Sequence, residues 1–317
     1  MVKPATVVIQ YLIDRKTETC LEEDMVALIV LNYNDYDTTS DFIEKIRGYS
    51  NIPKIIIVDN HSTDDSYERL SALASDKIDV VRTTANKGYA SGNNFGIRYA
   101  LEHYHPEYVI VSNPDVEFES AAVEKLYEQA AQLENLGVIA CRMNCLSGVA
   151  LESAWKLPTY TDHLLGNFPI LEKLFRFKTT YTEQELSDEL VEVDAVSGAF
   201  FMISSAAYQA AGGFDEDTFL YCEETIMSER LHEKGYKNYL LTTEKYLHKH
   251  SVSINKSISS LKKKLYIRQQ SKVVHCVKYL HTGKWKICLL WITFYMGLYE
   301  RIILSNVKIF LRKCFRR

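Results

Sequence analysis

The stretch K-I-I-I-V-D-N-H-S-T-D, residues 54–64, decides the fold class. Ile55–Val58 is an unbroken run of β-branched residues, the composition of a strand buried on both faces. The six residues from Asp59 are polar, and from Asp64 to Ser75 the pattern takes on a helical period. Asp64 alone reads as a helix N-cap. A buried strand that ends in a polar tip and gives way to a helix is one half of a βαβ unit.

The same unit repeats on either side. Val26–Leu31, Ile78–Arg82, Tyr108–Val111 and Gly137–Cys141 read as further strands, with helices over Thr38–Tyr49, Ser91–Tyr104 and Ala121–Glu134. Such alternation implies a doubly wound α/β layer on a mostly parallel sheet. In these sheets ligands bind beyond the carboxyl ends of the strands. There the sequence places Asn32-Tyr33-Asn34, Asp59–Asp64, Asn86-Lys87-Gly88-Tyr89 and Asn113-Pro114-Asp115. One polar tip has a local explanation: Gly88 and Gly92 as turn formers, Pro114 as a strand terminator. Four at one edge point to a ligand site.

The second half is less periodic. Leu146–Leu190 reads as loops and short helices, Val191–Ile203 returns to strand character, and Ser205–Ala211 is a short helix ended by Gly212-Gly213. Then Y-C-E-E-T-I-M-S-E-R (221–230) opens a helix running to Lys234, capped by Gly235. Taken locally, Glu223 and Glu224 are a solvated first turn that complements the helix dipole. A strand at Lys237–Leu241 leads to His248-Lys249-His250. Residues 1–24 carry no clear period and read as an N-terminal extension, with a short strand at Thr6–Ile13 and a start at Met25 both open.

Composition bounds the rest. The 317 residues are 47% hydrophobic and 25% charged, the balance of a globular chain. Seven cysteines are scattered and odd in number, and Cys141 and Cys145 lack the second pair of a structural zinc site. Reduced thiols in a cytosolic setting are the expectation. The net charge of −4 hides an asymmetry: 15 Lys/Arg and one acid, Glu300, lie from Ser251 onward, against 22 basic and 40 acidic residues before it. A basic tail on an acidic body seeks an anionic surface, and its apolar content favours a membrane over nucleic acid. Ile287–Tyr299 is apolar for 13 residues, short of the roughly 20 a spanning helix needs. With Arg301, Lys308 and Arg312 on one helical face, it reads as a helix in the membrane interface, the alternative being a helix pair packed on the core. Lys262–Lys264 add a contact to anionic lipid. The expected organisation is a domain over 25–255 and a basic, helical, membrane-associating region over 256–317, peripheral to the cytoplasmic face of the cell membrane.

In this order the motifs V-A-L-I-V-L-N-Y-N (26–34), V-D-N-H-S-T-D (58–64), N-K-G-Y-A-S-G-N-N (86–94), S-N-P-D-V (112–116), V-S-G-A-F-F-M-I (196–203), G-G-F-D-E (212–216), F-L-Y-C-E-E (219–224) and H-K-H (248–250) resemble a family 2 glycosyltransferase with a GT-A fold. The likeness is to the rhamnosyltransferase-like members of bacterial surface-polysaccharide assembly, and it covers Met25 to His250.

The resemblance implies an inverting, metal-dependent transfer from a dTDP- or UDP-sugar to a saccharide acceptor, one that is lipid-linked given the tail. It assigns donor binding to Asn32, Asn34, Asp59, Asn60, Lys87, Gly88, Asn93 and Asn113. Asp59 accepts from the base imide, while Lys87, Gly88 and Asn93 border the phosphates and sugar. Mg²⁺ or Mn²⁺ falls to Asp115 and His248, with His250 the alternative ligand. N-P-D here replaces the family's D-x-D, which leaves Asp115 as the charged ligand. Glu224 takes the place of the family's general base, normally an Asp, beside Glu223, and Ile226 replaces a second acid. Glu is longer than Asp by one bond, so Glu223 stays open as the base. A donor-binding subunit with little activity is the second reading, motivated by the altered E-E-T-I.

Overall fold

The protein is described here from a computed structural model over residues 26–145, 153–175, 179–249 and 260–314. The 1–24 extension, the Thr6–Ile13 strand, the Met25 start and His250 fall outside the described residues, as does the side chain of Arg312.

Four strands, β1 (Val26–Asn32), β2 (Lys54–Asp59), β3 (Ile78–Arg82) and β4 (Tyr108–Ser112), lie parallel in the order β3-β2-β1-β4. Side chains alternate across a strand, so each strand feeds two cores. Ile55 and Ile57 face Phe42, Ile43 and Ile46 of α1 (Tyr36–Ile46), Leu70 of α2 (Ser66–Ser71) and Leu126 of α4 (Ser120–Ala130). Ile56 and Val58 face Ile97 and Ala100 of α3 (Tyr89–His103). The second face also takes Tyr208 of α7 (Ser205–Ala211) and Leu231 of α8 (Glu223–Glu233).

Beyond β4 the sheet is mixed rather than a simple continuation. β5 (Val116–Glu117), β6 (Leu136–Cys145), β8 (Leu190–Val193), β10 (Phe200–Ser204) and β11 (Lys237–His248) complete nine strands. β10 runs antiparallel between β4 and β6, and β11 pairs parallel with β6. The strand-like run 191–203 is therefore three pieces, with β9 (Ala195–Val196) pairing instead with β7 (Ala154–Trp155). β11 continues past Leu241 through a register shift between Leu241 and Lys245. The irregular Thr242-Thr243-Glu244 hides the continuation in sequence. That extension delivers His248 opposite Val116, one residue after Asp115.

Two short helices, α5 (Tyr160–Leu165) and α6 (Pro169–Phe175), precede the C-terminal pair α9 (Leu261–Lys278) and α10 (Lys284–Cys314). α9 is fastened to the sheet domain: Ser271 Oγ donates to Leu220 O (2.8 Å), and Lys278 Nζ and Tyr279 Oη reach the Asp215 carboxylate at 2.9 and 2.7 Å. α10 is one continuous helix, which corrects the expectation of an apolar run too short to span. Lys284–Lys308, 25 residues, holds an 18-residue window of mean hydropathy 1.5 and is long and apolar enough to cross a membrane by length and composition. The charged pair that ends the run in sequence is satisfied by α6. Glu300 accepts from Ile170 N (3.0 Å), and Arg301 lies 3.4 Å from Glu172.

Candidate active site

The tips of β1, β2 and β3 are laced together. Asn32 is fully buried; its Nδ2 donates to Asp59 Oδ1 (3.1 Å) and its Oδ1 accepts from Thr39 Oγ1 (2.8 Å). Asp59, also buried, accepts from Ser62 N (3.0 Å) and pairs with Arg82 Nε (3.2 Å). Asn34, at φ 52°, takes a left-handed conformation that Asn tolerates, and its amide exchanges hydrogen bonds with Thr63. Asn60 reaches the next loop, donating to Asn86 Oδ1 (3.2 Å) and Gly88 O (3.1 Å). Lys87 is exposed there. Asn93 is fully buried, donates to Tyr89 O, and leaves its Oδ1 with no protein partner.

Gly88 shows why this loop admits no side chain. It sits at φ 100°, and a methyl group on it would lie 2.1 Å from Phe219 O. The same carbonyl accepts from Tyr89 N at 2.9 Å. The Asn86–Tyr89 loop is thus pressed against the segment leading to the acidic pair.

At the end of β4, Asn113 N donates to Ala199 O (2.8 Å), and Asp115 is nearly buried. His248 Nε2 lies 3.2 Å from Asp115 Oδ1. Adjacent ligands on an octahedral ion with bonds of about 2.1 Å are roughly 3 Å apart, so these two atoms fit one hard cation as neighbouring donors. No group of three or more His, Cys, Asp or Glu suited to a metal occurs among the described residues, so further ligands would come from substrate and water.

The acidic pair begins α8 behind two consecutive left-handed residues, Tyr221 (φ 75°) and Cys222 (φ 66°). Neither is glycine, and such conformations cost about 1–3 kcal/mol each. Strain of this kind persists where surrounding structure over-determines it, as at active sites. Glu223 is 2% exposed, with Oε1 lacking any hydrogen-bond partner. Burial, and then the neighbouring Glu224 carboxylate, pushes the Glu223 carboxyl well above its ordinary pKa. Glu224 is less enclosed and is also raised, by burial, against a backbone hydrogen bond from Gly198. A methyl at Gly198 would lie 2.1 Å from Glu224 Oε1, so glycine makes room for the carboxylate. Ile226 is fully buried in the protein interior.

A cavity of about 830 Å³ brings together Asn113, Glu223, Glu224 and His248, with Gly198 in its wall, while Asn32, Asn34, Asp59, Asn60, Lys87, Gly88, Asn93 and Asp115 are not among its lining residues. It also takes in residues that the sequence reading passed over. Tyr89 donates its hydroxyl to Gly198 O (2.7 Å), and burial beside Glu224 keeps it protonated. Trp155 Nε1 donates to Thr225 Oγ1 (3.2 Å). Arg268 and Lys272, one helical turn apart on α9, close the far wall. Nothing local in sequence separates these cations from the rest of the basic tail. Asn94 is a further omission: its amide clasps Phe214 N and O and Glu216, which holds the G-G-F-D-E turn against α3. It lies within a quoted motif, but its partners are 120 residues away.

The comparisons agree with this architecture. A solved structure of a mannosyltransferase from Pyrobaculum calidifontis, in complex with GDP-Man and Mn²⁺, superposes with TM-score 0.55 at 13% identity, over 98% of this chain and 89% of that one. A structure of GalNAc-T7 with UDP, GalNAc and Mn²⁺ gives TM-score 0.55 at 13% identity over 72% of this chain and 43% of that one. Both likenesses concern the fold. In sequence, the low-salt glycan biosynthesis hexosyltransferase Agl10 of Haloferax volcanii is 28% identical over 63% of this chain, which spans 59% of that relative's length. The N-acetylglucosaminyl-diphospho-decaprenol L-rhamnosyltransferase of Mycobacterium tuberculosis is 23% identical over 84% of this chain and 89% of its own. The family model described as glycosyl transferase family 2 matches residues 27–207, which take in the four β-strand tips and the Gly198 loop. The chain therefore belongs to glycosyl transferase family 2, is a glycosyltransferase, and has the GT-A fold.

Proposed function

We propose that this enzyme transfers a hexosyl or rhamnosyl unit, with inversion, from a dTDP- or UDP-sugar to a saccharide acceptor in surface-polysaccharide assembly. The observation that carries the reading is the placement of Glu224: a desolvated carboxylate at a helix start, facing a cavity it shares with His248, the partner of Asp115.

In this reading Asp59, fully buried with its carboxylate held by Asn32, Ser62 and Arg82, backs the tip at which the pyrimidine sits. Asn34 and Asn60 keep the tips in register with each other. Lys87, Gly88, Asn93 and Asn113 border the diphosphate and the sugar. Asp115 and His248 would hold Mg²⁺ or Mn²⁺, which, when bound, offsets charge on the departing nucleotide diphosphate. Glu224 takes the proton of the acceptor hydroxyl as that oxygen bonds to the anomeric carbon and the anomeric carbon–diphosphate bond breaks. A placed carboxylate contributes about 10²–10⁴ in rate this way. Its greater reach into the cavity and its Gly198 contact favour it over the more enclosed Glu223. The exposure of α10, of which only 22% of the apolar window is buried, supports a lipid-linked acceptor, and the cytoplasmic membrane face is part of the same proposal.

The test pairs binding with turnover. dTDP- and UDP-sugars should raise the melting temperature with Mn²⁺, since a ligand of the folded state stabilises it. Glu224→Gln should keep that shift and lose transfer by about 10² or more. Undiminished turnover in Glu224→Gln would remove the base assignment. Donor binding without transfer by the wild type would leave the donor-binding subunit as the function.

A further inference from the structure

Arg268 and Lys272 pose a problem that donor chemistry does not solve. Lys272 is 7% exposed, yet among the described residues its Nζ bonds only neutral oxygens, Asn167 Oδ1 at 3.0 Å and His163 O at 3.4 Å. A buried ammonium without an ion-pair partner is costly unless something anionic joins it. Arg268 lies 3.7 Å from Glu172, and that same carboxylate also serves Arg301 at 3.4 Å. Three cations thus meet two acids at the α6–α9–α10 junction, Glu172, which Arg268 and Arg301 share, and Glu300, which is taken up by Ile170 N. The cluster lacks negative charge.

Neighbours place the cluster along the cavity. Asn113 bonds Ala199, Gly198 abuts Glu224, and Cys222 precedes the acidic pair while feeling the charges of both Arg268 and Lys272. The walls therefore run from the His248 end, past the carboxylates, to the two cations. The same lining takes Leu165, Pro169, Leu171 and Phe175 from α5 and α6, interleaved with Asp162, Glu172 and Lys173. Outside stand Ile170 and Leu174 of α6, 50% and 59% exposed, beside the outward face of α10.

We propose that Arg268 and Lys272 form the binding site for the phosphate or diphosphate group of an acceptor that carries an isoprenoid-like tail, the tail leaving between α6 and α10. This rests on the transferase reading above and adds the acceptor's headgroup chemistry to it. Arg supplies a planar fork for phosphate oxygens and Lys a point charge. Burial, then Arg268, lowers the Lys272 ammonium to about 8, so it remains mostly charged at neutral pH and gains a counter-ion on binding. The arrangement sets the saccharide end of the acceptor toward Glu224 with the diphosphate behind it.

The experiment uses the full chain in detergent micelles with EDTA and saturating UDP, titrated with farnesyl diphosphate, farnesol and inorganic pyrophosphate by calorimetry. Farnesyl diphosphate should bind saturably, and the other two at least about tenfold more weakly, the loss expected when a charge-assisted contact or the apolar tail is missing. Arg268→Gln and Lys272→Met should each weaken farnesyl diphosphate by about tenfold or more while UDP–Mn²⁺ affinity, measured separately, is unchanged. Arg268 is half-exposed, so its variant keeps the test valid if Lys272→Met does not fold. Wild-type farnesyl diphosphate affinity in the folded variants, equal binding of farnesol, or pyrophosphate binding as tightly as the prenyl form would each overturn the proposal. An equal loss of UDP affinity would do the same, by moving the cations to the donor site. If the wild type binds farnesyl diphosphate as described but takes up no dTDP- or UDP-sugar, the anion site stands and the donor reading falls.

Discussion

Glu223 is where the interior and the chemistry disagree about one carboxyl group. Its folded pKa is raised above the value of about 4.3 that the unfolded chain shows. The unfolded chain therefore ionises first as pH rises, and the folded state binds the extra proton. The associated stability is complete below about pH 4 and is lost as pH climbs through the folded pKa. Glu223→Gln keeps the shape and removes the ionisation. Melting curves from pH 5 to 9 should show this variant gaining on wild type as pH increases, by about 2–4 °C per kcal/mol recovered. Parallel curves would mean the carboxyl is not desolvated as described. Glu224 was legible from motif order alone. What sequence did not convey is the different enclosure of the two carboxylates, because the room for Glu224 depends on Gly198, a residue 26 positions away. Asn32 shows the same limit from the other side: its position at the tip was readable, but its complete burial under Asp59 was not.

Among the elements, the parallel strands were the most readable, since a strand buried on both faces writes a continuous β-branched run. β11 was less so, because its bulge interrupts the pattern after Leu241 and the half carrying His248 pairs two different neighbours. The helical course of α10 past Tyr299 was readable, but its apolar run looked short because the partners of the charged pair on α6 are unseen. Its seat is narrow. Asn167 Nδ2 donates to Leu290 O and Thr293 Oγ1, both at 3.1 Å, and a methyl at Gly297 would lie 1.9 Å from Asn167 O. Gly297→Leu should lift the helix from this seat at a cost of about 1–3 kcal/mol. Because Asn167 also holds Lys272, the disturbance should reach the cavity. Hydrogen exchange should quicken in 284–298 and around 268–272 while β1–β4 stay protected. Unchanged exchange in α10 would show that the glycine is not the seat.

At the scale of the molecule, the two halves carry opposite charge and one side is apolar. Trp285 (69% exposed), Ile292 (55%), Tyr295 (59%) and Tyr299 (67%) form the outward face of α10. Such a contiguous face on a basic element suits the lipid surface proposed above. An anionic bilayer would attract the C-terminal region and repel the acidic body, orienting the cavity mouth as well as recruiting it. Ile292→Glu with Tyr299→Glu should reduce sedimentation with anionic vesicles severalfold, at about 1 kcal/mol or more per change, while the nucleotide-sugar thermal shift is retained. Equal sedimentation would make α10 a packing element alone. The charge asymmetry was countable in sequence, but the intrusion of α9 into the active-site wall was not, since it depends on contacts made across the chain with Leu220 and Asp215.

The short run Phe219-Leu220 carries a consequence for anyone recombining these enzymes. One carbonyl is gripped by the Gly88–Tyr89 loop, the next by Ser271 of α9, and the strained Tyr221-Cys222 step follows at once. Loop 86–89, segment 219–222 and α9 therefore form one exchangeable cassette. A chimera that imports a new nucleotide-sugar preference through the loop alone would inherit a mismatched grip and a displaced carboxylate, whereas all three pieces transplanted together would bring their own alignment.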